Sequence, residues 1–377
     1  MIQSLSNRDL YPSLRDYVYL NQASLGLIST NVVKEMQDFL QKIAQHGNIF
    51  MSDQAELDLL TSMRLGASKL FNCQPSQIAV LASASEMLNQ IPYILRPEKN
   101  TTILMVDSDF PGVTRPWIKY CQENSCNVSF VKENPECDLT ENILKEITSE
   151  TSIIQVSLVQ FSSGSKIDIK KLSSLTKKLG IKLIVDITQA AGALPIKAND
   201  WEADVLITSG YKWLGGHGGI GLAYLSEEFL RREPFSVGWM GAPKPFEMSP
   251  TTCFFETDAR SYTQSTMSYI SMVGLQASLK EITQLNPGKI EEHTNLLGDL
   301  LLGLIEKTKW IPWSKKEKSY YAKHIISLES DSDSLDQALN KLRIQNIICS
   351  SRNGRIRLSL AHYNNENDIK RVVQALT

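Results

Sequence analysis

The chain predicts an α/β fold, with a mostly parallel central sheet carrying helices on both faces and a smaller C-terminal α+β domain. Three observations carry this reading. Strand-like and helix-like runs alternate between residues 102 and 225, as in sheets whose parallel strands are joined by helical crossovers. Polar residues gather just beyond the apolar runs, where the ligands of such sheets bind. The alternation stops after Arg232, and Asn286-Pro287-Gly288 is the clearest break in the chain. The expected division is a large domain at 15–267, a connecting helix and linker at 268–288, and a small domain at 289–377, with residues 1–30 a candidate to pack with the small domain.

Residues 19–26 read as a short extended piece ending at Gly26. Helical spacing of apolar residues marks 31–45 and 54–71, the second through Leu57, Leu60, Met63 and Leu70. A strand at 78–81 and a helix at 87–95 follow. The alternation then reads strand 102–106, polar turn 107–112, helix 117–123, strand 127–131, helix 141–147, strand 153–161 and helix 169–179, with Gly180 as its C-cap. Strands at 182–186, 204–209 and 220–225 complete it. Residues 233–267, rich in Pro, Gly, Thr and aromatics, read as irregular connection before a helix at 268–284. The remainder reads as a helix to about Lys309, strand 324–328, helix 335–342, strands 347–350 and 356–359, and a last helix 368–376.

Composition narrows the function. Of 377 residues, 42% are hydrophobic and 21% charged, which is ordinary for a globular protein. The net charge of −2 leaves no basic surplus for a phosphate backbone, so nucleic acid is excluded as the expected partner. No apolar run reaches the roughly 20 residues of a bilayer span. The N-terminus shows no basic region followed by an apolar one, and a cytoplasmic enzyme is expected. Cysteines 73, 121, 126, 137, 253 and 349 form no Cys-x-x-Cys pair and read as reduced, mostly buried thiols. The five histidines lack metal-ligand spacing, so no metal is expected.

The chemistry centres on 182–219, KLIVDITQAAGALPIKANDWEADVLITSGYKWLGGHGG. Asp186 ends an apolar run, and a carboxylate there costs free energy unless paired. A protonated pyridine nitrogen is such a partner. Lys212 follows the next strand, where a desolvated amine gains nucleophilicity and can form an imine. A lysine imine and a carboxylate on the pyridinium are what make pyridoxal phosphate an electron sink. Taken singly, Asp186 reads as a helix cap and Lys212 as a surface residue; with Gln189, Ser209 and the glycines in fixed order they read as one site. Lys212 precedes the glycines and no Gly-Lys-Ser/Thr follows, against a P-loop. No Gly-x-Gly-x-x-Gly follows the first strand, against a nicotinamide dehydrogenase.

Four separated segments carry a resemblance: DITQAAG at 186–192, SGYKWLGGHGGIG at 209–221, ASASEMLN at 82–89 and RIRLSLAHYNNENDI at 355–369. Together they resemble the class V aminotransferase family of fold-type-I pyridoxal-phosphate enzymes, which includes cysteine desulfurases, kynureninases and isopenicillin-epimerase-like proteins. The resemblance spans nearly the whole chain. It implies that Lys212 holds the cofactor as a Schiff base and shuttles the substrate α-proton, that Asp186 bonds the pyridinium and that Gln189 bonds the ring hydroxyl. It places the phosphate against Ala84 and Ser85 at a helix start, with Ser209 on its other side. It assigns the substrate α-carboxylate to Arg357, a planar bidentate donor. Thr266 loosely matches a threonine that reaches the neighbouring subunit's phosphate, which implies a homodimer; the family has Glu-x-Gly-Thr where this chain has Thr263-Gln264-Ser265-Thr266. Asn21 and Ala23 would line the substrate entrance.

Departures from the family pattern matter as much. Ile187 and Thr188 replace a usual pair of small residues. Phe110 stands where desulfurases stack a histidine on the cofactor ring, and it offers an apolar face without an acid or base. Cys349 reads as a buried strand thiol, not as a desulfurase nucleophile. A family asparagine falls at Gln160 or Phe161, with no role assigned, and His217 and His362 read as structural residues, with approach to a substrate as the alternative. The expected activity is an aminotransferase, then a C–S or other β-lyase, then a racemase or epimerase. A catalytically idle relative is the rival from another class, opposed by intact Asp186, Lys212 and Arg357.

Overall fold

A computed structural model describes residues 1–314, 321–332 and 334–377. Its centre is a seven-stranded sheet of β1 (Ile78–Leu81), β2 (Thr102–Val106), β3 (Asn127–Val131), β4 (Thr151–Ser157), β5 (Lys182–Asp186), β6 (Val205–Ser209) and β7 (Gly221–Leu225), in the order β1-β7-β6-β5-β4-β2-β3. The pairings are parallel except those of β7, which runs antiparallel to both β1 and β6. The chain returns from β6 to β7 through a glycine-rich loop with no helix, and a connection of that kind allows only reversal.

The strand sequences explain why the sheet is interior. Leu183 and Val185 of β5 join one apolar cluster, and Ile184 between them joins another on the opposite face. Ile103, Leu104, Met105 and Val106 of β2 alternate likewise. Both faces are therefore apolar, as a sheet covered on two sides requires. Helices Ala84–Leu95 and Pro111–Glu123 cover one face; Asp53–Phe71 and Tyr269–Leu285 cover the other.

The C-terminal part holds helix Pro287–Ile305, a four-stranded antiparallel sheet and helices Leu335–Ile344 and Glu366–Leu376 over a third apolar cluster. The sheet strands are β8 (Ile311–Pro312), β9 (Ile325–Glu329), β10 (Ser350–Arg352) and β11 (Arg355–Ser359), in the order β10-β11-β9-β8. Asn286, at φ +67°, ends one long helix and caps the next by accepting from the Gly288 N–H at 2.9 Å.

Several boundaries differ from the sequence reading, each for a local reason. The helix expected at 87–95 begins at Ala84, because Ser83 accepts from the Glu86 N–H as its N-cap. The helix expected at 117–123 begins at Pro111, a favoured first position, so the last two residues of the expected polar turn are helical. The strand expected to reach residue 161 ends at Ser157, which leaves Gln160 and Phe161 in a turn. Ile347–Ile348 leaves the small sheet and pairs in parallel with Val18–Tyr19. The extended piece at 19–26 is mostly a turn, with Asn21 bridging to Ser359. The thiols are not mostly buried: Cys126 is buried, Cys137 and Cys253 are exposed and the others lie between. Cys121 and Cys126 approach to 2.8 Å between sulfurs.

The N-terminal segment ties the two sheets together. Arg8 pairs with Asp368 at 2.8 Å, and the Leu5 N–H donates to His362 O. Further on, Gln22 Nε2 donates to Lys212 O at 3.0 Å, while Gln22 Oε1 accepts from Tyr363 Oη at 2.6 Å. Gly26 makes this close approach possible: a Cβ there would sit 2.1 Å from Lys212 O. Gly26→Ala should therefore destabilise the protein by about 1–3 kcal/mol, read as a lower urea midpoint at unchanged slope. A wild-type midpoint would contradict this packing.

Candidate active site

The parallel pairing of β5 and β6 sets Asp186 beside Ile207, and Lys212 follows three residues after the end of β6. Both charged groups are buried, Asp186 at 6% exposure and Lys212 at 8%. Burial pushes the Lys212 amine down to about 8; the negative charge of Asp186 opposes the shift, and Arg357 and Arg352 add to it. Burial raises the Asp186 carboxyl, against hydrogen bonds from Thr188 and the charge of Lys212. Thr188 explains one departure from the family pattern. Its N–H donates to Asp186 Oδ1 at 2.6 Å, and its hydroxyl accepts from the Ser209 N–H at 3.2 Å, which links the ends of the two strands.

Phe110 stands over the amine. Lys212 Nζ is 5.4 Å from the Phe110 ring centroid and 5.7 Å from that of Tyr211, within cation–π range. Phe110 is 43% exposed and meets Phe161 edge to face at 5.6 Å. Asp109 fixes it from behind, with its carboxylate accepting from the Phe110 N–H at 2.7 Å, the Ser157 N–H at 2.7 Å and Ser157 Oγ at 2.5 Å. Burial pushes Asp109 up to about 6 against these bonds, with Asp186 contributing. Ser157 is itself paired with Asp186 across the sheet.

Gln189 is held by three partners. Its Nε2 donates to Ala23 O at 3.1 Å, its Oε1 accepts from Trp213 Nε1 at 2.7 Å, and its carbonyl accepts from His324 Nε2 at 2.7 Å. One amide proton remains for another acceptor. Burial pushes His324 down to about 4, so it is a neutral ring carrying its proton on Nε2.

The other end of the site is a helix start. Ala84 and Ser85 open helix Ala84–Leu95, where backbone N–H groups lack helical partners. Gly221 lies against it so closely that a Cβ would be 2.7 Å from Ala84 N. Gly221 pairs with Ser209, so Ser209, Ala84 and Ser85 gather at one corner of the sheet. Glu86 braces the turn by accepting from the Ala82 N–H at 2.7 Å.

Arg357, 1% exposed, enters from the small sheet. It donates from Nε to Ser350 Oγ at 3.1 Å, from Nη1 to Phe161 O at 2.7 Å and from Nη2 to Ser24 Oγ. Burial pushes its guanidinium down to about 10, aided by the neighbouring Arg352. Arg352 Nη2 also donates to Ser24 Oγ, at 3.3 Å. Asn21, half-buried, lies two residues before Ala23, with its Oδ1 buried and unpartnered among the described residues.

The other sequence candidates make no described contact with this cluster, except Cys349, which lies in the field of Arg357. Thr266 is exposed, and its described contacts are to Ser265 and Tyr269. His217 is exposed and bonds Gly218 O, whereas His362 is buried against Tyr11, Tyr363 and Ser6 and pushed down to about 4. Cys349 is half-buried with its thiol pushed up to about 11 by burial. Sequence reasoning missed Asp109, Thr188, Ser24, His324 and Arg352. Asp109 had a signal as the acid directly before Phe110, and Thr188 had one as a departure from the family's small pair. Among the described residues no group of histidine, cysteine and acidic side chains could hold a metal, and no helix is long and apolar enough to cross a membrane.

Comparison with known proteins matches residues 18–372 to the family model for aminotransferase class-V. An uncharacterized aminotransferase, YcbU of Bacillus subtilis (strain 168), is 22% identical over 98% of this chain and 96% of its own. A kynureninase of Shouchella clausii (strain KSM-K16) is 24% identical over 77% of this chain and 71% of its own. In structure, the chain is similar to the cystine C–S lyase C-DES in complex with its reaction product cysteine persulfide: TM-score 0.89, 18% identity, 97% of this chain and 98% of that one.

The geometry makes a direct prediction for the protein stripped of any cofactor. Lys212 is mostly neutral above a pH of about 8, whereas ordinary lysines start from 10.5. Trinitrobenzenesulfonate should therefore label Lys212 with a half-maximal rate near pH 8, well before other lysines. Asp186→Asn removes the charge that holds the pKa up and should move that midpoint lower. Peptide mass spectrometry across pH checks both; a Lys212 profile like that of surface lysines would contradict the burial described.

Proposed function

The chain belongs to the class-V aminotransferase family, and on that premise we propose that it is an amino-acid β-lyase, acting on a substrate with sulfur at the β-carbon. The family's cofactor is pyridoxal 5'-phosphate. The residues fit it: a buried carboxylate disfavoured without a cationic partner, a buried amine with a lowered pKa, and a helix start cradled against Gly221 and Ser209. When bound, the group supplies an electron sink for negative charge developing at the substrate α-carbon.

In this reading Lys212 holds the cofactor covalently and Asp186 keeps the ring nitrogen protonated. The spare amide proton of Gln189 serves the ring hydroxyl, while Ala84, Ser85 and Ser209 serve the phosphate. Phe110 covers the ring, and Arg357 takes the substrate α-carboxylate, with Asn21 beside the entrance. Lys212 carries the reading: its free amine, with a pKa of about 8, would be a competent base for the α-proton. Phe110 has no titratable group, His217 is exposed, and His324 and His362 are neutral and engaged elsewhere.

The choice of lyase rests on the aromatic wall. Phe110 and Phe161 meet edge to face beside the amine, a surface that suits a polarizable sulfur substituent, and the similar C-DES is a cystine C–S lyase. A sulfur relay through Cys349 is not proposed, because a thiol at about 11 is scarcely ionised at neutral pH. The second reading is an aminotransferase, favoured by the Bacillus relative matched over 98% of this chain. We further propose a homodimer. Thr266 is exposed, and so are the apolar Phe235, Val237, Trp239, Met248 and Phe254 of the connection after β7, which a second copy would cover. A cytoplasmic setting accords with the free cysteines.

An amino-acid panel tests the reading. Release of a thiol or sulfide with a 2-keto acid and ammonia is the expected result. Amino-group transfer to an added keto acid without thiol would establish the second reading, and neither activity on any amino acid would overturn both. Asp186→Asn should lower kcat by about 10²–10³-fold, in line with loss of one preorganised electrostatic partner. A change below tenfold would remove Asp186 from the mechanism.

A further inference from the structure

Three arginines of the β10–β11 hairpin lie on one face of the small sheet. Arg352 pairs directly with Arg355 and Ser350 with Arg357, and residues paired across strands share a face. Their surroundings differ. Arg355 stacks on Trp313, 4.2 Å from the ring centroid, in the field of Glu133 and Glu329. Arg357 and Arg352 converge instead on one neutral oxygen, Ser24 Oγ. Among the described residues their other acceptors are Phe161 O and Ser350 Oγ for Arg357, and Ser351 O for Arg352, all uncharged.

Two guanidiniums on one hydroxyl, facing a buried lysine, repel one another, and partial burial strengthens the repulsion. Their terminal nitrogens lie within about 6 Å of each other, because both reach the same oxygen. An α-carboxylate compensates one positive charge and leaves the second without a counter-ion among the described residues. The two residues also differ in depth. Arg357 is 1% exposed, while Arg352 is only half-buried and so faces the solvent side of the same cluster.

We propose that Arg352 is a second anion-binding residue of this site and that the substrate is an α-amino acid whose side chain carries a second carboxylate. Arg357 takes the inner α-carboxylate and Arg352 the outer one, a few bonds away. The proposal rests on the reading above in which Arg357 binds the α-carboxylate. A guanidinium suits the outer position because its planar fork binds a carboxylate bidentately.

Calorimetry on the cofactor-loaded protein tests the proposal without turnover. The probes are succinate, glutarate and adipate, each set against the monocarboxylate of equal carbon count. A charge-assisted bond of this kind changes affinity by about 10- to 100-fold. At least one dicarboxylate should bind wild type about tenfold or more tightly than its partner, and R352Q should bring the two together by weakening the dicarboxylate. R357Q should weaken both, and R352K should recover part of the preference. No dicarboxylate preference in wild type, or a preference that survives R352Q, overturns the proposal. R352Q weakening both ligands equally overturns it too, because Arg352 would then serve the first carboxylate. The yellow colour of the loaded protein reports separately on the cofactor reading, so the two failures are distinguishable.

Discussion

The structure depends on holding two opposite charges, Lys212 and Asp186, out of water at the ends of adjacent strands. Neither is stable there alone: burial lowers the amine to about 8 and raises the carboxyl. Much of the surrounding architecture serves that arrangement. β5 and β6 place the pair, Thr188 fastens Asp186 to the start of the lysine loop, and the N-terminal turn closes over Lys212 through Gln22 and Gly26. The turn is in turn held by Tyr363 of the C-terminal part. A buried, reactive amine is thus sustained by contacts that cross most of the sequence.

A second constraint runs from Asp186 through Ser157 and Asp109 to Phe110. It positions an aromatic face where a histidine would bring a proton carrier. Phe110 carries no titratable group, so in the proposed reading acid–base work would fall to Lys212, whose amine is lowered to about 8 by burial. In the proposed reading the aromatic wall and the arginine cluster, which lie outside the strand ends, would select the amino acid.

Much of this was legible in the sequence, for identifiable reasons. Strands such as β5 are apolar at every position between their polar ends, so length and flanking residues revealed them. Asp186 and Lys212 were visible because both lie just beyond such runs. Helix starts were less visible: Ala84–Glu86 and Pro111–Arg115 carry few apolar residues, and caps decide where those helices begin. The direction of β7 was not legible, since periodicity reports which face a residue occupies and not which way its strand runs. Ser24 and Arg352 were invisible for a different reason. They meet across 328 residues of chain, and only the docking of the N-terminal turn on the small sheet brings them together.

The most direct test of the account is where pyridoxal 5'-phosphate attaches. Incubation with the cofactor, reduction by borohydride and peptide mass spectrometry should find one pyridoxyl group, on Lys212, with loss of the visible absorbance on reduction. A protein that takes up no colour, or a pyridoxyl group on another lysine, would contradict the account.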